Sequence, residues 1–368
     1  MKYKFDEIAI NCTKKKQPTD TDRKTYIGLE HIDPENFTIS RWGSDITPTG
    51  EKLVMEKGDI LFGKRRAYQR KVAIAPFNGI FSAHGMVLRP KTNVIDSAFF
   101  PFFIASDQFM ETAVRISVGG LSPTINWKDL KTQEFEIPPL EEQKILADKL
   151  WAAYRLKEAY MHLLIATDEM VKSQFIEMFG NPVSNDRIWE CEPISSIAPE
   201  SPATHIADNQ VWLLNLDMIE SGTGNIVEKV FVSKENVLYA QPFDEGNVLF
   251  SKLRPYLNKV VCPNGKGYAT TELVALRPKQ DKLNQTFFTY LLRSDQFVQF
   301  ANDISGGTKM PRMPLKELRE FKCILPPIKL QEEFATISIR PTNQNLTASN
   351  RNLSKCLVTH YFPTKTMR

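Results

Sequence analysis

Lys64, Arg66, Tyr68 and Lys71 lie in the stretch GDILFGKRRAYQRKVAIAP (58–76). The same types at the same spacing return 188 positions later as Lys252, Arg254, Tyr256 and Lys259, in GNVLFSKLRPYLNKVVCP (246–263). Ammonium and guanidinium groups interleaved with an aromatic ring suit a phosphate-facing surface. One such run is more often a solvated strand face; its recurrence at identical spacing favours a binding role. Charge distribution says more here than total charge, because a net +4 is too small to announce nucleic acid.

Other chemistries find little support. No GxxxxGK[ST] loop is present for a nucleoside triphosphate, and the glycine pairs follow aromatic helices instead of joining a strand to a helix. His31, His84, His162, His205 and His360 do not recur between the halves; His84 corresponds to Glu272, which excludes a shared acid–base role. Asp59 corresponds to Asn247, so a carboxylate-based nuclease site would be dead in one half. The five cysteines are odd in number and scattered, without CxxC or zinc-like spacing, and are expected as reduced thiols with no metal. The chain is expected to have no catalytic centre.

The repeat extends far beyond the basic phrase. Leu88-Arg89-Pro90-Lys91 recurs as Leu276-Arg277-Pro278-Lys279, and Ser106-Asp107-Gln108-Phe109 as Ser294-Asp295-Gln296-Phe297. Pro138-Pro139 with Gln143 recurs as Pro326-Pro327 with Gln331. Gly119-Gly120 pairs with Gly306-Gly307 if one residue slips, and a loop would absorb that slip. Self-similarity at this scale means two copies of one structural unit.

Within each copy, 59–62, 71–75 and 86–88 (247–250, 259–262 and 273–276 in the second) read as strands. The aromatic stretches 97–109 and 284–300 read as single helices, each ending near SDQF, with their phenylalanines in the core. ISVGGLSPTIN and ISGGTKMPRMP read as loops with exposed backbone. A helical turn and a strand then lead to each double proline. Trp212 is expected to be buried.

From Leu140 to Phe179 there is no Pro or Gly, and Ile145, Ala152, Leu156, Ala159, Leu163, Ala166 and Met170 form an apolar stripe of coiled-coil period. About 40 residues at ~1.5 Å each give a rod of roughly 60 Å, stopped by Gly180-Asn181-Pro182. Trp151, Tyr154, Tyr160 and Leu164 lie off the stripe and are expected to need a further partner surface, so that the isolated chain should be poorly soluble. The segment after the second double proline is expected to supply the rod's partner, as helix over 330–339 and again over 343–362, broken at Pro341. The expected organisation is 1–139, first globular domain; 140–180, first helix; 181–327, second globular domain; 328–362, interrupted second helix. Ahead of each phrase the copies diverge, at 36–54 and 221–242, which suggests one task performed on two targets. At 368 residues with 42% apolar composition the chain can bury real cores. No run approaches the roughly 18 apolar residues of a membrane span, and the start MKYKFDEIAI lacks a signal peptide's features, so no membrane and a cytoplasmic location are expected.

With these features in order, the chain resembles the specificity subunit of a type I restriction-modification system. The resemblance rests on the GDILFxK-R-Y-KV strand pair, the L-R-P-K strand, the SGGTKMP loop (305–311) and the I-P-P-L-x-x-Q start (137–143) of a long helix, and it covers essentially the whole length. It implies an α+β protein of two similar globular target recognition domains separated by two long antiparallel helices, with pseudo-twofold symmetry. Each domain of the family reads half of a bipartite double-stranded DNA sequence. The helices fix the unread gap, and two methyltransferase subunits dock on them to methylate adenine N6. S-adenosylmethionine is expected on those partners and no cofactor on this chain; restriction/translocase subunits join in some systems. Pro341 and the polar distal segment depart from the family pattern and bear on how straight the second helix is.

Phosphate contacts position a protein on DNA and base-edge contacts specify sequence. A phrase shared by both halves cannot carry two specificities. Lys64, Arg66, Tyr68, Lys71, Lys252, Arg254, Tyr256 and Lys259 are therefore assigned to backbone clamping or scaffold. Gly119, Gly120, Gly306 and Gly307 are assigned to backbone contact through exposed amides, with Lys309 and Arg312 assisting. Base reading is assigned to what differs: Arg41, Trp42, Ser44 and Asp45 in one half, Asn225, Lys234, Asn236 and Gln241 in the other. There is no NPPY-type motif to hold a flipped adenine. The competing reading is a stand-alone pseudo-symmetric DNA-binding regulator or scaffold without a methyltransferase partner.

Overall fold

A computed structural model describes residues 1–203, 208–237, 239–307 and 309–338. The chain divides into two units, and the boundary falls inside one helix, between Glu158 and Ala159.

The first unit has two four-stranded sheets. In one, Ile60–Phe62 lies between Met86–Pro90 and Val72–Ile74, with Ala9–Cys12 at the edge, all antiparallel. The other orders Lys15–Lys16, Lys52–Met55, Gly79–Phe81 and Tyr26–Ile27, the last pair parallel. A third, two-stranded sheet joins Lys2–Lys4 to Glu134–Glu136.

The second unit repeats this plan, with one strand fewer among the described residues. Val248–Ser251 lies between Leu273–Leu276 and Val260–Val261. Gln210–Leu214 runs parallel to Gly267–Ala269, as Tyr26–Ile27 does to Gly79–Phe81. Cys191–Pro193 pairs with Lys322–Ile324.

The aromatic stretch is not one helix in either copy. Phe100–Ala105 and Asp107–Arg115 are separate, as are Gln285–Arg293 and Asp295–Asp303. Ser106 and Ser294 adopt extended backbone angles, accept from the amides of Phe109 (3.3 Å) and Phe297 (3.2 Å), and donate to Phe103 O (2.6 Å) and Leu291 O (2.7 Å). One hydroxyl thus caps the end of one helix and the start of the next, which turns the chain without a proline. SDQF opens a helix where it was expected to close one. The phenylalanines are core: Phe99, Phe100, Phe103 and Phe109 are 0% exposed, and each contributes roughly 1.5–3 kcal/mol of burial.

The helix Leu140–Phe179 is unbroken. Gly180 ends it at φ 74°, its amide bonded to Ile176 O (2.8 Å). Ala147 and Leu150 belong to the first unit's core, while Val171, Phe175 and Phe179 belong to that of the second. Trp151 and Tyr154 need no external partner, because Phe37 and Phe102 cover the indole and Phe37 the phenol ring. The stripe itself faces solvent: Ile145, Leu156, Leu163 and Met170 are 56%, 59%, 60% and 64% exposed. The later helix runs Ile328–Ile337. The helix expected over 343–362, and the break at Pro341, lie outside the described residues. Among the described residues, no helix is long and apolar enough to cross a membrane.

Candidate nucleic-acid interface

The basic phrase forms the connection between two antiparallel strands, and its shape is the same in both units. A 3-10 turn, Ala67–Gln69 or Pro255–Leu257, is flanked by left-handed residues: Arg66 (φ 57°) and Arg70 (φ 53°), Arg254 (φ 50°) and Asn258 (φ 47°). Left-handed backbone costs a non-glycine residue about 1 kcal/mol, so surrounding bonds must hold it. Arg66 and Arg254 donate their amides to Pro123 O and Pro311 O, each at 2.7 Å. Arg70 and Asn258 close the turn onto Ala67 O and Pro255 O, each at 2.8 Å. The turn presents Tyr68 and Tyr256, 55% and 52% exposed, to solvent.

The glycine loop lies against this turn. Arg65 bridges Thr124 and Leu253 bridges Arg312, while Val118 bridges Thr124 and Gly306 bridges Arg312. These bridges hold the 188-residue register straight through the loop, with no slipped residue. Gly119 (φ 110°) is the counterpart of Gly307 (φ 98°), not of Gly306. The left-handed conformation is the property that matters there, and adjacency to a second glycine misled the sequence comparison. Arg66 donates to Ser122 Oγ through Nε (3.2 Å) and Nη2 (3.0 Å), tying the turn to the loop.

The repeated lysines divide into two kinds. Lys71 and Lys259 donate to Leu29 O and Leu216 O, each at 2.6 Å, and so join the phrase to the segment carrying YIGLEHI or LLNLDMI. Burial pushes Lys259 below its ordinary pKa. Lys64 and Lys252 are only partly covered. Burial lowers the Lys64 pKa, and Lys15 acts in the same direction. His84 stands beside this charge, its pKa lowered by burial and then by Arg65, Lys64 and Lys52. The second unit differs here: Glu272 occupies the matching position and pairs with Arg312 (2.9 Å). Lys309 is exposed on the same loop.

The divergent segments place their residues variously. Arg41 is exposed and donates to Glu30 O (3.1 Å) and Asp33. Trp42 is 50% exposed and edge-on to Phe77, with centroids 5.3 Å apart. The carbonyls of Ser44 and Asp45 accept from Arg23. Lys234 and Asn236 are exposed, whereas Asn225 donates to Glu220 (3.0 Å) and Gln241 donates to Leu273 O in the adjacent three-stranded sheet. Trp212 is 3% exposed, packed on Phe243 beneath Lys229. Phe231 and Tyr239, 62% and 90% exposed in the second divergent segment, were not singled out from sequence, since an isolated aromatic in a non-repeating stretch carries no periodic signal.

Two copies of one strand–turn–loop unit, each with a basic and aromatic crest and a divergent neighbour, define a tandem recognition-domain protein. The family model for the type I restriction modification DNA specificity domain matches residues 2–161 and 215–347, and the chain belongs to that family. It is 25% identical over 211 residues to the type I restriction enzyme EcoDI specificity subunit of Escherichia coli, covering 56% of this chain and 46% of that protein. The chain thus spans about half the length of that relative. It is 22% identical over 359 residues to the putative type I restriction enzyme MjaX specificity subunit of Methanocaldococcus jannaschii, covering 89% of this chain and 83% of that one. Its fold is similar to the type I restriction-modification system S subunit from M. genitalium, with a TM-score of 0.53 and 15% identity over 100% of this chain and 96% of that one.

Proposed function

We propose that the chain is the specificity subunit of a type I restriction-modification system. Each unit recognises one half of a bipartite double-stranded DNA target. The chain has no catalytic role: two methyltransferase subunits, carrying S-adenosylmethionine, dock on it and methylate adenine N6 at the site, and restriction/translocase subunits join where the system includes them. It acts in the cytoplasm, where the DNA is.

The observation that carries this reading is the duplicated crest. Identical turns, held by identical backbone bonds, recur beside segments that share no sequence, as expected when positioning on phosphate is common and base reading differs. In this reading Lys64, Lys252, Tyr68, Tyr256 and the glycine loops meet the DNA backbone. Base edges are met from the segments bearing Arg41, Trp42, Ser44 and Asp45, and Asn225, Lys234, Asn236 and Gln241; the exposed Lys234 and Asn236 are the better placed of the second set.

The test is selection of bound duplexes from a random pool by the chain co-purified with its methyltransferase subunits. Two short motifs at a fixed gap support the reading; a single contiguous motif, or no enrichment, contradicts it.

A further inference from the structure

Each unit ties its divergent segment to the long helix by a polar clasp, and the two clasps are chemically unrelated. In the first unit the Tyr154 hydroxyl accepts from the amides of Phe37 (3.0 Å) and Thr38 (3.2 Å) and donates to Asn36 Oδ1 (2.6 Å). The Thr38 hydroxyl donates to Glu158 (2.7 Å), and Lys157 reaches Glu35 O (3.3 Å). Phe37 packs on the Tyr154 ring at 5.2 Å, and its carbonyl accepts from the amide of Ile74 (3.0 Å), in the strand that follows the basic turn. The start of the divergent segment is thus held between the helix and the sheet.

In the second unit Arg293, 4% exposed, donates Nη2 to Asp168 (3.2 Å) and to Gly222 O (2.9 Å). Asp168, 7% exposed, is on the long helix and also pairs with Lys172 (3.1 Å). Gly222 opens the second divergent segment, and its amide bonds to Leu257 O (3.0 Å) in the basic turn. Asn258 of that turn donates to Arg293 O (2.9 Å). The residue matching Arg293 is Ala105, whose carbonyl accepts from Arg70 (2.8 Å) as that of Arg293 does from the matching Asn258, but whose methyl side chain offers no donor. Among the described residues of the first unit, nothing reproduces this buried guanidinium.

We infer that Tyr154 with Glu158, and Arg293 with Asp168, are positioning residues for sequence recognition: each pair sets the divergent segment of its own unit relative to the long helix. A structural fastening alone would be expected to repeat in sequence, as Gln143 and Gln331 do, whereas at the same offset Thr342 and Leu346 stand for Tyr154 and Glu158, and Ala105 for Arg293. These clasps differ in the way that the segments they hold differ, and each also contacts its unit's basic strand or turn. Base contacts must be placed within about half an ångström to discriminate, so a segment released from its clasp loses selectivity before the unit unfolds. The inference rests on the specificity-subunit reading above.

The experiment expresses the whole chain with its methyltransferase subunits in a host lacking adenine methylation and sequences the modified sites. Wild type, Tyr154→Phe, Thr38→Val, Arg293→Met and Asp168→Asn are compared. Tyr154→Phe and Thr38→Val are expected to lower base discrimination about tenfold at one half-site only. Arg293→Met and Asp168→Asn should do so only at the other. A uniform fall in methylation with base preference intact at both half-sites, in the mild variants Thr38→Val and Asp168→Asn as in the others, overturns the inference and leaves the clasps as folding contacts. A wild type that yields no bipartite motif overturns the specificity-subunit reading, and the inference with it.

Discussion

Gln143 and Gln331, 188 residues apart and both 0% exposed, make the same three hydrogen bonds. Gln143 Nε2 donates to Val94 O (3.0 Å) and Pro138 O (2.8 Å), and its Oε1 accepts from the Asp96 amide (2.7 Å). Gln331 repeats this with Lys282 O (3.1 Å), Pro326 O (2.7 Å) and the Asn284 amide (2.9 Å). A side-chain amide has two donors and a two-lone-pair acceptor, so each glutamine is well matched to its site. It locks the double proline and the first turn of the following helix onto the loop ahead of the aromatic helices.

Replacing either glutamine by leucine should therefore be costly, because an amide and two carbonyls are left buried without partners. A loss of ~3 kcal/mol is expected for Gln143→Leu or Gln331→Leu, measured by urea unfolding of the purified chain. A loss under about 0.5 kcal/mol would show that the bonds are replaceable.

The two kinds of lysine should separate in their salt dependence. Lys64→Ala is expected to weaken binding to all duplexes and to reduce the slope of log affinity against log salt by about one. Lys71→Met removes the bond to Leu29 O and should reduce stability while leaving the slope unchanged. An equal change of slope in both would place Lys71 on the phosphates.

The glycine register can be tested by alanine. Gly119 and Gly307 have φ of 110° and 98°, and alanine at either should cost roughly 1–2 kcal/mol. Gly306 and Gly120 have open space at the Cβ position and no left-handed φ, so alanine there should be nearly silent. Thermal unfolding of the four variants checks this. A large cost at Gly306 and none at Gly307 would restore the slipped pairing.

His84 should make stability depend on pH. Its pKa is lowered from 6.5, first by burial and then by Arg65, Lys64 and Lys52, so the unfolded chain takes up a proton before the folded one. The contribution is constant above the ordinary histidine range and is lost as pH falls through about 6.5 toward the lowered value. His84→Gln should remove this part of the pH dependence. The check is the Tm of wild type and variant at pH 5.5 and 7.5; a wild-type Tm that does not fall relative to the variant's on acidification contradicts the assignment.

What could be read from sequence was what repeats. The strands of the basic phrase, the core phenylalanines, the unbroken helix to Phe179 and the burial of Trp212 all follow from periodicity or from duplicated spacing. The break at Ser106 and Ser294 was hidden because apolar periodicity runs across it, although Ser-Asp before Gln-Phe is itself a helix-start signal. The roles of Lys71 and Lys259 depend on carbonyls 42 and 43 residues away, in segments whose course no local pattern predicts. Tyr154 was read as needing a partner because helical spacing shows that a face is apolar and not what covers it. Arg293 gave no signal at all, since its counterpart is Ala105 and its partner Asp168 lies 125 positions earlier.

The most direct test of the central claim is single-molecule methylation sequencing of the source genome, with this gene intact and then deleted. Loss of N6-methyladenine at one bipartite motif, with every other motif unchanged, is the predicted result and would name the target. An unchanged methylome, with the partner methyltransferase shown to be expressed, would contradict the claim and favour a DNA-binding regulator or scaffold.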